Sequence, residues 1–432
     1  MTSPEAISTP RGMRDIKPEE MDVREKMLDG IRRVFRLYGF QPLETPALEN
    51  WEVLSAKGAG GADILNETYN FEDRGGRRLG MRYDLTVPLA RFIAMNPSIP
   101  LPFRRYQIGG VWRYGDVAKG RFREFLQADV DIVGSESMLA DAEIAACAVD
   151  VFIELGFKEF TVRLNDRKIL SAMTRFAGIE ESKVDDAFRA IDKLEKIGEE
   201  KVFGEFSQRG IPNEAGKKLM ELLSIKGEAD EVLKEAERLI GGIKEGKEGI
   251  EEVRELLACV GKVGSEEYFK VDFSLARGME YYTGPIFEVF FPGGVGSLAG
   301  GGRYDRMIGL FLGKDVPATG ISFGIDRIAE VMAKEYVKSE GSVFVAGVDE
   351  SCSDEVLKAA KKLRGSGIPA MFDLRGRSLG KQLNYANSLK IPFVVIIGKE
   401  EMKQGKVKLR NFESGEEKLV SLEECIELIK NG

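Results

Sequence analysis

The chain has 432 residues, of which 43% are hydrophobic and 31% charged, a composition typical of globular proteins. A chain of this length is too long to fold around one ordinary hydrophobic core, so we expect two or three domains. The chain contains no histidine, which excludes serine–histidine triads, HExxH zinc sites and histidine general bases. Its chemistry must use carboxylates, arginine, lysine, tyrosine, backbone dipoles or a metal held by oxygen ligands.

Charge and cysteine content narrow the class of protein further. The net charge of -8 argues against binding of nucleic acid over the whole surface, but it permits local basic patches. The four cysteines lie far apart without a CxxC pair, so we expect reduced thiols, no zinc and no disulfide framework. The sequence has neither a leader-like apolar segment nor a membrane-spanning run, and we expect a cytoplasmic protein with no membrane partner.

The first predicted elements are a helix and a series of strands. Residues 24–39 place apolar side chains on one helical stripe, which Gly39 ends. The next segment, FQPLETPALE, is predicted as a strand, and residues 81–134 and 271–291 are predicted as further strands. We expect these strands to form one antiparallel sheet flanked by helices, in an α+β domain that comprises residues 1–165 and 263–332.

Two other segments differ from this sheet domain. Residues 166–262 are rich in Glu, Lys, Leu and Ala at helical spacing, which predicts a helical insertion domain. Residues 333–342 are predicted as a charged linker, and residues 343–432 alternate as βαβαβ, which predicts a small α/β domain. From Gly341 onward the chain contains 15 Lys and Arg and 13 Asp and Glu, a net charge of +2. The rest of the chain contains 48 Lys and Arg and 58 Asp and Glu, a net charge of -10.

The most informative stretch is a strand pair, FRRYQIGGVWR and RFREFLQADVDIVG. Side chains two residues apart share one face of a strand, and on the second strand that face carries Arg121, Arg123, Gln127, Asp129 and Asp131. A solvated outer face is the simpler interpretation, because antiparallel sheets commonly have one. The segments MRYDLTV, LARGMEYYTG and GISFGIDRI add arginines beside glycines and tyrosines, which favours a binding site.

The ordered set of these motifs resembles the class II aminoacyl-tRNA synthetases, and among them the histidyl-tRNA synthetase family. LETPALE resembles motif 1, the strand pair resembles motif 2, and GISFGIDRI resembles motif 3. LARGMEYYTG, GGRYD and MRYDLT are similar to stretches that mark the histidine enzymes. The resemblance covers essentially the whole chain and implies that the C-terminal α/β domain binds the anticodon.

The implied activity is ATP-dependent activation of L-histidine and its transfer to tRNA(His). The histidine carboxylate attacks the α-phosphorus of ATP, a step that needs positioning and positive charge more than a proton relay. The resemblance implies that Arg113 holds the α-phosphate, Arg327 the γ-phosphate, and Arg277 both the histidine carboxylate and the α-phosphate. Mg²⁺ is expected to accompany the pyrophosphate end of ATP, with no other metal site.

The adenine contact departs from the family pattern. Motif 2 usually continues to a glutamate two positions after its arginine, which contacts the adenine amino group, whereas Gly115 stands there in this chain. Asp116 is the candidate to replace it. With Arg121 from the loop between the two strands, the expected ATP-binding residues are Arg113, Asp116, Arg121 and Arg327.

For histidine, the resemblance implies an ammonium site and an imidazole site. Asp84, Thr86 and Gln127 would surround the α-ammonium group, which needs acceptors. Asp131 and Tyr282 would contact the two imidazole nitrogens beside Tyr281, and unpaired buried partners would reject apolar amino acids by roughly 10⁴-fold or more. Two other interpretations stay open: a structural ion pair for Asp131 and a core position for Tyr282.

The remaining expectations concern macromolecular partners. Lys119 and Arg121 suit the acceptor end of tRNA, and basic residues of the C-terminal domain suit loop bases, namely Arg375, Arg377 and Lys381. Motif 1 implies a homodimer. The main alternative is a non-catalytic regulatory subunit of histidine biosynthesis, which would be expected to lack the C-terminal domain and to lose Arg277 or Arg327.

Overall fold

A computed structural model of the chain describes residues 7–56, 65–118, 120–191, 194–276, 281–292, 296–332 and 343–431. The chain forms two compact units, Met1–Glu335 and Tyr336–Gly432. None of the helices in the described ranges is long and apolar enough to cross a membrane. The four cysteines are free, as predicted, and three of them are buried.

The first unit is built on a large sheet and a small one. The described strands are β1 (Gln41–Pro42), β2 (Leu48–Asn50), β3 (Asn70–Glu72), β4 (Arg78–Met81), β5 (Phe103–Trp112), β6 (Glu124–Val133), β7 (Thr161–Asp166), β8 (Phe269–Val271), β9 (Pro285–Phe290), β10 (Ser297–Arg303) and β11 (Ala318–Gly324). The large sheet has the order β1-β5-β6-β11-β10-β9-β7-β8, and the small one has the order β2-β4-β3. The inner pairs of the large sheet are antiparallel, and only its two edge pairs run parallel.

Helices cover this sheet and fill the segment between β7 and β8. The described helices are α1 (Pro18–Leu37), α2 (Trp51–Leu54), α3 (Thr86–Met95), α4 (Met138–Glu154), α5 (Arg167–Phe176), α6 (Val184–Ile191), α7 (Leu194–Ile197), α8 (Glu199–Gln208), α9 (Asn213–Leu223), α10 (Ala229–Ile240), α11 (Lys244–Lys262), α12 (Gly309–Leu312) and α13 (Ile325–Met332). The apolar stripe of α1 is buried as predicted, and Gly39 follows the helix with a positive φ of 74°.

Two strand predictions are wrong. The segment FQPLETPALE forms only the short strands β1 and β2, because Pro42 and Pro46 have no N–H to donate to a ladder. The strand predicted from residue 81 ends there, and helix α3 begins at Thr86. The Asp84 carboxylate accepts a hydrogen bond from Val87 N at 3.1 Å, which satisfies a backbone donor at the start of that helix.

The segment predicted as a helical insertion is helical, since α5 to α11 occupy residues 167–262. Its buried residues belong to the same hydrophobic core as those of α1, α4 and the large sheet. The helical segment is therefore part of the first compact unit, and its limits as a domain stay a prediction.

The second unit has the predicted βαβαβ order, followed by an antiparallel extension. Its described elements are β12 (Val343–Gly347), α14 (Ser353–Gly365), β13 (Ala370–Phe372), α15 (Leu379–Ser388), β14 (Phe393–Ile397), α16 (Lys399–Lys403), β15 (Val407–Asn411), β16 (Glu417–Val420) and α17 (Leu422–Asn431). The strand order is β13-β12-β14-β15-β16, with the first three strands parallel. The predicted α+β class with a C-terminal α/β domain is thus confirmed.

Candidate functional site

The hairpin of β5 and β6 places its polar face inside the molecule. Arg105 lies opposite Asp131, and Gln107 lies opposite Asp129. The alternate residues of β6, including Ala128 and Val130, pack in the core of the first unit. Arg105, Gln107, Asp129 and Asp131 are buried, so the interpretation as a solvated outer face is wrong for this part of the hairpin, whereas Arg121 at its end is exposed.

This face lines a first cavity of about 230 Å³. Carboxylate and amide side chains meet tyrosines around it, and the lining includes Asp84, Thr86, Arg113, Gln127, Asp129, Asp131, Tyr281, Tyr282, Glu288 and Tyr304. Every histidine-site residue predicted from the sequence is therefore brought to one cavity.

Asp131 is held by two neighbours at the cavity wall. Arg105 Nη2 lies 2.8 Å from Asp131 Oδ2, and both side chains are buried. The Tyr304 hydroxyl donates a hydrogen bond to the other carboxylate oxygen, Oδ1. The structural ion pair considered for Asp131 is thus present, although the same carboxylate also lines the cavity.

Glycines of β10 and β11 form the floor of the cavity. A Cβ atom added to Gly320 would lie 2.1 Å from Asp131 Oδ1, and one added to Gly301 would lie 2.1 Å from the Gly320 carbonyl oxygen. Neither distance allows a side chain. Glycine at these two positions therefore lets the neighbouring strand and the Asp131 carboxylate approach closely.

Burial changes the ionisation of the cavity carboxyls. Loss of hydration raises the pKa of Asp84 to about 6 and that of Asp129 to about 7. Burial also raises the pKa of Asp131, and the Arg105 charge opposes that change. Such perturbed carboxyls in a cleft are typical of binding and catalytic sites.

Three tyrosines form the aromatic wall. The ring centroids of Tyr281 and Tyr282 are 4.9 Å apart, and those of Tyr281 and Tyr304 are 5.9 Å apart. Burial raises the pKa of each phenol above its usual value, so all three keep their hydroxyl protons at neutral pH. Tyr282 is thus a cavity residue as well as a packed one.

A second cavity of about 290 Å³ adjoins the first and contains the arginines. Arg113, Arg121 and Arg327 line it, and Arg113 also lines the first cavity. Arg113 Nε donates to the Tyr83 carbonyl at 2.9 Å, and Arg327 Nη1 donates to the Ser297 carbonyl at 2.8 Å. Backbone contacts therefore orient two guanidinium groups at a cavity that suits a polyanion.

Asp326 links three elements beside the second cavity. Its carboxylate accepts a hydrogen bond from Leu126 N at 2.9 Å and pairs with Arg24 of α1. Asp326 immediately precedes Arg327 in α13, so these contacts fix the start of the helix that carries this arginine.

Three site residues were not assigned a role from the sequence: Glu67, Asp129 and Glu288. Both carboxylate oxygens of Glu67 lie 3.5 Å from the position that a Cβ atom on Gly115 would take, and Glu67 lines the second cavity together with the exposed Asp116. Glu67 belongs to no recognised motif. Asp129 lies on the polar face already described, and Glu288 is the one charge in an otherwise apolar strand, a signal that could have been used.

Comparison with known proteins identifies the family. The family model described as histidyl-tRNA synthetase matches residues 12–328, and the model described as anticodon binding domain matches residues 342–432. The histidine–tRNA ligase of Aeropyrum pernix is 41% identical over 98% of this chain and 97% of its own length. The chain belongs to the histidyl-tRNA synthetase family.

Solved structures agree with this assignment. The crystal structure of histidyl-tRNA synthetase from Nostoc sp. superposes with a TM-score of 0.86 at 33% identity, and covers 98% of this chain and 99% of that one. A Bacillus halodurans structure, titled as an ATP phosphoribosyltransferase regulatory subunit/histidyl-tRNA synthetase, gives a TM-score of 0.76 at 26% identity over 91% of this chain and 98% of that one.

Members of this family use ATP, and the residues present are compatible with Mg²⁺ bound through it. In the described parts of the chain, no group of three or more Cys, Asp or Glu side chains is placed to hold a metal alone. The Glu288 carboxylate lines both cavities, beside Arg113. One carboxylate together with phosphate oxygens is an arrangement that Mg²⁺ commonly accepts.

Two predicted residues of the synthetase site, Lys119 and Arg277, lie outside the described residues. In the anticodon-binding domain, Arg377 pairs with Asp373 at 2.7 Å and its guanidinium lies 4.2 Å from the Tyr385 ring centroid. Arg377 lines a cavity of about 460 Å³ in this domain. Arg375 and Lys381 are exposed and do not line it.

Proposed function

We propose that the chain is a histidine–tRNA ligase that forms histidyl-adenylate from L-histidine and ATP and transfers the histidyl group to tRNA(His). The observation that carries this proposal is the junction of the two cavities, where a carboxylate-lined chamber meets an arginine-lined one at Arg113. An amino acid in the first cavity would present its carboxylate to ATP in the second.

Adenylate formation is a displacement at the α-phosphorus with pyrophosphate as the leaving group. Arg113, shared by both cavities, holds the α-phosphate, and Arg121 and Arg327 hold the outer phosphates. Backbone contacts orient Arg113 and Arg327 before the reaction, so that their charge stabilises the transition state without reorganisation. Arg277 remains a predicted contact to the histidine carboxylate and α-phosphate.

Mg²⁺ accompanies ATP in this proposal, with Glu288 as its protein ligand. The ion, when bound, neutralises charge on the pyrophosphate. Four carboxylates line the second cavity, and two of them, Asp116 and Glu67, are the candidates to accept a hydrogen bond from the adenine amino group.

Histidine binds in the first cavity. Asp84, Thr86 and Gln127 surround the α-ammonium group, and Asp131 and Tyr282 contact the imidazole nitrogens. Because the tyrosine keeps its proton and Asp131 faces a cation, the two side chains suit the donor and acceptor nitrogens of one neutral tautomer.

The transfer step needs a base, and the chain has no histidine to supply one. A phosphate oxygen of the adenylate takes the proton from the terminal ribose hydroxyl of tRNA. If substitution of an Asp or Glu in the cavities abolished transfer while adenylate formation continued at the normal rate, this assignment would be wrong.

In this proposal residues of both compact units contact the tRNA. Lys119 and Arg121 bind the acceptor end, and the basic residues Arg375, Arg377 and Lys381 bind loop bases. The enzyme acts in the cytoplasm as a homodimer formed through motif 1. Light scattering after size-exclusion chromatography tests the dimer, and a monomer at micromolar concentration would contradict it.

Histidine-dependent exchange of pyrophosphate into ATP tests the activity. The wild type should exchange with histidine and with no other amino acid, and Asp131→Asn should lose both rate and selectivity. A regulatory subunit would show no exchange. Against that alternative stand the second unit, which matches the anticodon-binding family, and Arg327 at the ATP cavity.

A further inference from the structure

The buried oxygens Asp84 Oδ2, Gln127 Oε1 and Asp129 Oδ1, from the segment before α3 and from strand β6, belong to side chains that line the first cavity. Among the described residues none of these three atoms has a hydrogen-bond partner. Asp84 and Asp129 are only 4% and 3% exposed. Buried polar atoms are nearly always satisfied, and three such atoms around one cavity therefore mark a ligand that donates hydrogen bonds.

Asp131 differs from these three residues. Its Oδ1 accepts a hydrogen bond from the Tyr304 hydroxyl. Its Oδ2 has no hydrogen bond among the described residues, but it forms an ion pair with the Arg105 guanidinium. Thr86 is also engaged, through a hydrogen bond with the Tyr281 side chain. Of these acceptors, the ones without a hydrogen bond or an ion pair in the described part of the chain are thus Asp84 Oδ2, Gln127 Oε1 and Asp129 Oδ1.

The donor that fits this set is an ammonium group. It carries three N–H bonds and a positive charge, whereas an imidazole ring offers at most two N–H bonds. Gln127 and Asp129 are two residues apart on the same face of β6, a separation of about 7 Å along the strand, so one small cation can lie between them. The two carboxylates also supply negative charge opposite the cation, and the amide oxygen supplies a neutral acceptor.

We propose that Asp129 is a further acceptor of the α-ammonium site, in addition to Asp84, Thr86 and Gln127. The assignment rests on the proposed placement of histidine in the first cavity. Asp131 then serves the imidazole end, and Asp129 adds selectivity for a substrate with an intact α-amino group.

The ionisation of the two carboxyls agrees with this role. Burial raises the pKa of both carboxyls. For Asp129 the Arg105 charge and the Ser322 hydroxyl oppose this rise, and the charges of Asp131 and Asp84 add to it. For Asp84 the charges of Arg113 and Arg105 oppose it. A cation bound between Asp84 and Asp129 offsets their mutual repulsion and lowers both pKa values. Histidine binding near pH 7 should therefore release protons from the protein.

The test compares two ligands, histidine and 3-(imidazol-4-yl)propionate, which has the same ring and carboxylate but lacks the α-amino group. Their dissociation constants are measured by calorimetry with the wild type, Asp129→Asn and Asp131→Asn. Asp129→Asn should weaken histidine roughly 10- to 100-fold and change the analogue less than about threefold. Asp131→Asn should weaken both ligands by similar factors.

Proton release separates a direct contact from a structural effect. Calorimetry in buffers of different ionisation enthalpy should show fewer protons released by histidine from Asp129→Asn than from the wild type. The neutral amide resembles protonated Asp129, so the variant should keep the wild-type melting temperature within a few degrees. Asp129→Glu, which keeps the charge, should recover part of the histidine affinity.

Two outcomes would overturn the proposal. Equal weakening of both ligands by Asp129→Asn would place Asp129 at the ring, and no weakening of either would remove it from the site. Asp84→Asn tests separately whether histidine binds in the first cavity at all. If Asp84→Asn affects histidine and Asp129→Asn does not, only this inference fails, whereas silence of both variants would mean that histidine binds elsewhere.

Discussion

The two joined cavities hold their charges in different ways. In the first, Asp84, Asp129 and Asp131 are buried, and burial raises their pKa values. In the second, Arg121 and Asp116 are exposed, and Arg113 and Arg327 are anchored through backbone carbonyls. A small amino acid is selected by buried acceptors of fixed position. A triphosphate needs positive charge within reach, which the exposed Arg121 and the half-buried Arg113 and Arg327 provide.

The largest expected effect concerns Arg113, an arginine that lines both cavities. Arg113→Ala should lower kcat for histidine-dependent pyrophosphate exchange by about 10³-fold, because it removes charge from the reacting phosphate. Arg121→Ala, in the exposed part of the second cavity, is the matched control and should cost about tenfold or less. Equal losses from the two variants would show that the shared position of Arg113 has no special role.

The second expected effect is a pH dependence confined to the first cavity. Asp84 and Asp129, with pKa values of about 6 and 7, are protonated as pH falls and then cannot hold an ammonium group. The KM for histidine should rise at least tenfold between pH 8 and pH 5.5, and the KM for ATP should change little. Parallel measurements with 3-(imidazol-4-yl)propionate as an inhibitor correct for titration of the ring itself.

The same raised pKa values determine how the free energy of unfolding changes with pH. The folded, ligand-free protein binds protons at Asp84 and Asp129 that the unfolded chain, with ordinary pKa values near 4, has already lost at pH 6. Ionisation of these carboxyls above pH 7 therefore opposes folding, and the bound ammonium offsets it. Histidine should raise the melting temperature more at pH 8 than at pH 6, and a larger shift at pH 6 would contradict the ammonium site.

A smaller effect should distinguish Glu67 from Asp116, the two candidates for the adenine contact. If Glu67 accepts from the adenine amino group, Glu67→Gln should raise the KM for ATP about five- to tenfold and reduce discrimination against inosine triphosphate. Asp116→Asn is the matched control, since Asp116 lines the same cavity but is exposed. Loss of discrimination in Asp116→Asn alone would restore the assignment made from the sequence.

The smallest effect is expected in the anticodon-binding domain. Lys381→Ala should weaken tRNA binding about threefold and reduce the salt dependence of the affinity by roughly one unit of slope, as removal of one phosphate contact does. Lys358→Ala is the control, because Lys358 is exposed but already paired with Glu355. Filter binding at several salt concentrations measures both, and identical slopes for the two variants would exclude a contact at Lys381.

The sequence predicted the large elements well, since they follow from period and turn residues. The stripe of α1, the helical segment and the βαβαβ order were all visible in this way. Short elements near prolines and caps were not predicted. The segment before α3 alternates like a strand, but the Asp84 carboxylate accepts from Val87 N and the helix begins at Thr86.

The site was predictable to the extent that motifs mark it. Asp84, Gln127 and Asp131 were assigned because they stand in motifs, and the cavity contains all three. The position of Glu67 depends on which distant segments meet, and spacing carries no information about that. An ion pair of Asp131 with an arginine was considered from the sequence, but only the strand register identifies Arg105 as the partner. For the same reason the engagement of Asp131 by Tyr304 could not be foreseen.

The glycine floor of the first cavity limits how this enzyme could be redesigned. Gly301 and Gly320 leave no space for a Cβ atom, and Gly300 lines the same cavity. Backbone therefore sets the depth of the chamber, and no substitution in the floor can enlarge it. A variant that accepts a bulkier histidine analogue must instead be sought by trimming the wall at Tyr282 or Tyr304, and libraries should be concentrated there.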